Sequence, residues 1–127
     1  MRIDHIAMYA ADLAGVRDFF VRYFDAVPGA LYRNTRTGFC SYFLSFADGA
    51  RLEIMSRPDL APAPDSLAYP GFIHMALSVG SREQVDDLTA RLAKDGYRIL
   101  SGPRTTGDGY YESCILGPEN IQIEITL

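Results

Sequence analysis

Four polar side chains stand inside otherwise apolar segments of this 127-residue chain: His5 in DHIAMYA, Glu53 in RLEIM, His74 in FIHMALSV and Glu124 in IQIEITL. Imidazole nitrogens and carboxylate oxygens together make a mixed donor set that suits a divalent ion such as Zn, Ni, Co, Fe or Mn. Taken singly, a histidine or glutamate in a strand is more often a surface residue or a hydrogen-bonded core group. What shifts the balance is recurrence, because each residue type returns at the same place in a second half of the chain.

The repeat is visible by direct alignment. IDHIAMYAADLAGVRDFFVRYFDA matches FIHMALSVGSREQVDDLTARLAKDG and sets His5 against His74, while SYFLSFADGARLEIM matches ESCILGPENIQIEIT and sets Glu53 against Glu124. Two halves with the same order of elements follow from such a pattern. Alternation along a strand then places the four residues. Ile121, Ile123, Ile125 and Leu127 share one face and Gln122, Glu124 and Thr126 the other; Leu52 and Ile54 likewise oppose Arg51, Glu53 and Met55. His5 falls with Ala7 and Tyr9, and His74 with Ala76 and Ser78. A sheet with helices on its convex face would leave all four candidates on the concave one.

The elements that must position them are legible too. Asp12 is the expected N-cap of a first helix whose Leu13, Val16, Phe20 and Phe24 form one stripe. A second helix opens with Ser81 and Gln84 in capping-box spacing, turns Val85, Leu88 and Leu92 inward, and stops at Gly96. Asp48-Gly49 reads as a two-residue hairpin turn, and Glu119-Asn120 as its counterpart in the second half. Each half is therefore a strand, a helix and about three strands. The stretch SRPDLAPAPDSLAYPG, with Pro58, Pro62, Pro64 and Pro70, reads as a linker able to cover a site. The expected plan is module 1 over about 1–57, a linker over about 58–70 and module 2 over about 71–127, in one domain.

Composition narrows the function classes. A hydrophobic fraction of 48% suffices for a continuous core, and a net charge of -4 argues against a phosphate-neutralising surface, so nucleic acid is not an expected partner. Cys40 and Cys114 lie apart in apolar stretches and read as free thiols. No long apolar run is present, which makes a soluble, cytoplasmic protein without membrane contact the expectation.

With the hairpins paired as those turns suggest, Tyr42, Leu44, Tyr111, Ser113 and Ile115 should flank the site and form a small-molecule pocket, or simply pack the sheet. Arg57 shares the parity of Glu53 and could bind an anionic group, or stand exposed at the strand end. GPRTTGDGYYES reads as a connecting loop, with a lid as the alternative; it lacks the ending of a phosphate-binding loop.

DHIAMYAADLAGVRDFF, LEIM, HMALSV and GPENIQIEI resemble the vicinal oxygen chelate superfamily along the whole chain. That resemblance implies an α+β fold of two paired βαβββ modules forming a curved mixed sheet with helices on the convex face, the glyoxalase/bleomycin resistance/dioxygenase fold, usually built into a homodimer. The ligand order His, Glu, His, Glu resembles that of bacterial glyoxalase I. It implies a metal-dependent lyase or isomerase acting on a small oxygenated substrate through an enediolate, with Glu124 as base and Glu53 opposite it. Glyoxalase I carries an arginine and an asparagine for glutathione where this chain has Tyr9 and Arg57, so glutathione use is not implied and these two positions become substrate-binding candidates. The alternatives within the resemblance are a drug- or metabolite-binding protein of the bleomycin-resistance type and an iron-dependent ring-cleaving dioxygenase.

Overall fold

A computed structural model describes residues 1–127 apart from Pro64 and Tyr69. The expected linker proline at position 64 therefore lies outside the described residues; the remaining described residues between Arg57 and Ile73 form neither helix nor strand. The chain divides into two compact units, Met1–Pro62 and Ala63–Leu127.

The first unit runs β1 (His5–Tyr9), α1 (Leu13–Phe24), β2 (Val27–Pro28), β3 (Tyr32–Arg33), β4 (Cys40–Ser45) and β5 (Arg51–Ser56). Its sheet has the order β1-β5-β4-β2, with β3 also paired to β4. In the second unit, β6 (His74–Ser78), α2 (Arg82–Lys94), β7 (Arg98–Thr105), β8 (Tyr111–Leu116), a short 3-10 turn (Pro118–Asn120) and β9 (Gln122–Thr126) build the order β6-β9-β8-β7. Both sheets are mixed, because β1 runs parallel to β5 and β6 parallel to β9 while the hairpins are antiparallel. The α+β plan of two βαβββ-like modules thus holds, with the strand between helix and hairpin split into two short pieces in the first unit.

Local chemistry explains the helices. Asp12 accepts a hydrogen bond from the Gly15 amide at 2.9 Å, and Ser81 from that of Gln84 at 3.2 Å, so each side chain satisfies a first-turn donor that has no intrahelical acceptor. Gly96 has φ 94°, and its amide and that of Tyr97 donate to the carbonyls of Ala93 and Leu92, closing α2 where expected. The buried stripe of α1 is Val16, Phe19, Phe20 and Tyr23, with Leu13 and Phe24 only half-buried at its margins. This band packs on β4 and β5, against Leu44, Leu52 and Ile54, none more than 1% exposed. In the second unit Val85, Thr89 and Leu92 of α2 meet Ile115, Ile123 and Ile125, all fully buried apart from Thr89. The period-two reading of β5 and β9 is borne out, since the apolar residues face the helix and Glu53 and Glu124 face away.

The segment read as a connecting loop is mostly strand. Gly102 to Thr105 completes β7, and Thr106–Tyr110 turn the chain back into β8, with the Thr106 hydroxyl 2.5 Å from Asp108 and accepting from the Tyr110 amide at 3.0 Å. The β7–β8 register shifts around Gly102, whose φ is 81°. A Cβ there would come within 2.5 Å of the Glu112 carbonyl oxygen, so the bulge admits only glycine. Cys40 and Cys114 are free thiols, as expected. Among the described residues no helix is long and apolar enough to cross a membrane.

Candidate metal centre

The two units present their candidate ligands in the same register. Ala7 stands level with Glu53 on the β1–β5 ladder, and Ala76 level with Glu124 on the β6–β9 ladder. His5 and His74 each lie two residues before that alanine, so each histidine shares the face of its glutamate. Nε2 of His5 is 3.9 Å from Oε2 of Glu53, and Nε2 of His74 is 3.2 Å from Oε2 of Glu124. The glutamates are recessed, with 18% and 21% of their side chains exposed, and the histidines open, at 41% and 40%.

Two donors each about 2.0–2.2 Å from one ion, at angles between square and tetrahedral, stand about 3.0–3.5 Å apart. The His74–Glu124 pair has that spacing, and the His5–Glu53 pair needs to close by a few tenths of an ångström. Among the described residues no group of three or more His, Cys, Asp and Glu is gathered to hold a metal. Each unit by itself thus offers half of the expected ligand set.

The surroundings of His5 were not foreseen from the sequence. Its Nδ1 lies 3.0 Å from Oδ2 of Asp4, which also accepts from Arg51 at 2.6 Å. The His5 contact, followed by the Arg51 guanidinium, holds the Asp4 carboxyl below its usual range. A proton on Nδ1 donated to Asp4 would leave Nε2 unprotonated, the arrangement in which a carboxylate orients a ligating imidazole. Asp4 was discoverable, since it directly precedes the histidine. Phe43 also meets the His5 ring edge-on, with centroids 5.3 Å apart, and Arg51 stacks 4.5 Å above the Phe43 ring.

In the second unit Cys114 occupies the position opposite Glu124. Burial first, and then the charges of Glu124 and Glu112, push its thiol above the usual range, so it is a neutral wall of the face. Arg104 stands opposite Glu112 on the β7–β8 ladder, 3.7 Å away.

Three expected pocket residues lie on the other side of their sheets. Tyr42 pairs with Ile54, not with a residue of the Glu53 face, and its hydroxyl accepts from Arg17 of α1 at 3.0 Å. Tyr111 donates to Asp86 of α2 at 2.6 Å, and Ser113, fully buried, contacts Thr89 of α2 at 2.6 Å. Leu44 and Ile115 are core residues facing the helices as well. The cause is a register difference of one residue. A two-residue turn at Asp48-Gly49 would set Leu44 opposite Glu53, whereas the longer loop sets Phe43 there. In the second hairpin Pro118, Glu119 and Asn120 form a three-residue loop closed by the Gly117 amide donating to the Ile121 carbonyl at 2.8 Å, with Glu119 and Asn120 at φ 57° and 60°. Cys114, not Ile115, therefore faces Glu124.

Tyr9 and Arg57 do lie on the Glu53 side, and the structure joins them. Arg57 holds Asp59 through Nε and a terminal nitrogen at 2.5 and 2.7 Å. That contact, and then a hydrogen bond with Tyr9, raises the guanidinium pKa still further. Asp59 thus occupies the fork of the Arg57 guanidinium.

The model of the Glyoxalase/Bleomycin resistance protein/Dioxygenase superfamily matches residues 2–125. An uncharacterized protein of Bacillus subtilis (strain 168), YqjT, is 27% identical over 128 residues, covering 95% of this chain and 94% of its own. The fold is shared with the fosfomycin resistance protein FosX from Listeria monocytogenes, crystallised with Mn(II) and sulfate, at a TM-score of 0.74 and 19% identity over 98% of this chain and 89% of that one. It is shared also with the trypanothione-dependent glyoxalase I of Leishmania major, at a TM-score of 0.78 and 18% identity over 99% and 86% of the two chains.

Proposed function

We propose, for a chain that belongs to the Glyoxalase/Bleomycin resistance protein/Dioxygenase superfamily, a metal-dependent lyase or isomerase of glyoxalase I type acting on a small oxygenated substrate. The observation that carries this reading is the duplicated register, which gives each unit one histidine nitrogen beside one carboxylate oxygen on the face away from its helix. His5, Glu53, His74 and Glu124 would together hold the ion. When bound, a divalent ion supplies positive charge that stabilises oxygen anions of the substrate.

The chain's own residues supply the proton chemistry. Glu124 is recessed yet reachable, and an anionic carboxylate in that position can take a proton from a carbon beside a carbonyl and return it to the neighbouring carbon. Glu53, in the matching place of the first unit, is the second carboxylate that would take part. Asp4 would orient the His5 ring by accepting its Nδ1 proton, and Phe43 packs against the same ring. The Mn(II) named with FosX is consistent support for a metal on this fold.

Metal binding tests the reading directly. Protein stripped with a chelator and titrated with Zn, Ni or Mn should take up one ion per chain, and His5→Ala or His74→Ala should each remove that uptake. Two independently lost weak ions per chain, or none, would overturn the shared four-ligand site.

A further inference from the structure

Beyond the metal face of the first unit lies a feature the chemistry above does not use. Tyr32, Asn34, Thr37, Phe39, Arg57 and Asp59 enclose an open hollow of about 420 Å³. Tyr32 pairs with Ser41, and Ser41 with Met55, so the Tyr32 ring rises from the same side of the sheet as Glu53. Its ring and that of Phe39 lean together with centroids 6.2 Å apart and form one wall. The Arg57 guanidinium also lines the hollow, held by Tyr9 and by Asp59.

We infer that this hollow binds the carboxylate end of a small planar organic acid, with Arg57 as its anchor and Asp59 as an internal stand-in for that carboxylate. The two oxygens of Asp59 already occupy the guanidinium in the two-point geometry that a ligand carboxylate would adopt. Asp59 is 67% exposed, and an ion pair in contact with water is held weakly enough to exchange partners. A ligand that brings a flat ring as well as a carboxylate gains stacking against Tyr32 and Phe39, which Asp59 cannot supply. Four residues of extended chain, about 13 Å, separate Arg57 from Glu53, so the bound carboxylate belongs to the end of the substrate remote from the ion. Asn34, which also lines the hollow, accepts from the Arg36 and Thr37 amides at 3.0 and 3.2 Å.

The inference names a substrate class for the metal-dependent reading and rests on it for the chemistry, while binding in the hollow needs no metal. The test therefore uses chelator-treated protein, with phenylacetate and its uncharged counterpart phenylacetamide as probes, followed through the amide resonances of Thr37 and Phe39. Phenylacetate should bind at least about tenfold more tightly than the amide. Asp59→Asn should strengthen phenylacetate binding severalfold by vacating the fork, Arg57→Ala should remove the preference, and Arg57→Lys should restore only part of it. His5→Ala, which tests the metal, should leave all of this unchanged. Equal binding of the two probes by the unmodified protein, or no gain with Asp59→Asn, overturns the inference whatever the metal titration shows.

Discussion

Phe43 stands directly across the β4–β5 ladder from Glu53, with the Arg51 guanidinium 4.5 Å over its ring and the His5 imidazole nearly perpendicular to it at 5.3 Å. One apolar side chain thus braces a histidine, a guanidinium and the strand that carries a carboxylate. Phe43→Ala should leave the hydrophobic core intact, since the residue faces away from α1, but it should free the His5 ring. Metal affinity, measured by competition with a chromophoric chelator, is expected to fall about tenfold or more, the usual scale for losing a support of a ligating side chain. An unchanged affinity with an unchanged circular dichroism spectrum would show that Asp4 alone orients the ring.

Glu124→Gln keeps the shape and the hydrogen-bonding reach of the side chain while removing its basicity. Incorporation of solvent deuterium into hydroxyacetone by the metal-loaded protein should drop by about 100-fold or more, the lower end of general-base contributions. Exchange at the original rate would take the base role away from Glu124.

The Thr89–Ser113 pair ties α2 to β8 through two buried hydroxyls 2.6 Å apart, with the Thr89 hydroxyl also donating to the Val85 carbonyl at 2.6 Å. Thr89→Val leaves the fully buried Ser113 hydroxyl without a partner and should destabilise the protein by about 1–3 kcal/mol. Adding Ser113→Ala removes the orphan, so the double variant should recover much of that loss in urea unfolding. Simple additivity of the two single effects would mean that the hydroxyls do not interact.

The Tyr111 phenol donates to Asp86, and that bond, followed by burial, raises its pKa above the ordinary 10.0. A phenol whose folded pKa is raised contributes stability in full below pH 10.0, and loses it as the pH climbs from the unfolded to the folded value. Urea midpoints should therefore decline more steeply above pH 10.0 for the unmodified protein than for Tyr111→Phe. Parallel declines would show that the bond to Asp86 does not persist in solution.

Which face each polar residue takes within its own strand was already written in the chain. Alternation is a property of the extended backbone, so that Ile123 and Ile125 are buried on one face and Glu124 between them turns to the other follows from the sequence of β9 alone. The caps at Asp12 and Ser81 and the stop at Gly96 are equally local, since each depends on residues within one helical turn. Which residues stand beside the glutamates is a different matter. It depends on the count of residues in a turn and on where the chain enters left-handed backbone, at Glu119 and Asn120 in one hairpin and Gly49 in the other. One residue more in the loop inverts the side of every partner, bringing Phe43 and Cys114 to the face of the glutamates and sending Tyr42 and Ser113 to the helices. The contacts of Asp4 with Arg51 and of Arg57 with Tyr9 likewise arise only when strands and turns are folded together, because no periodic pattern records which polar side chains will find each other across the sheet.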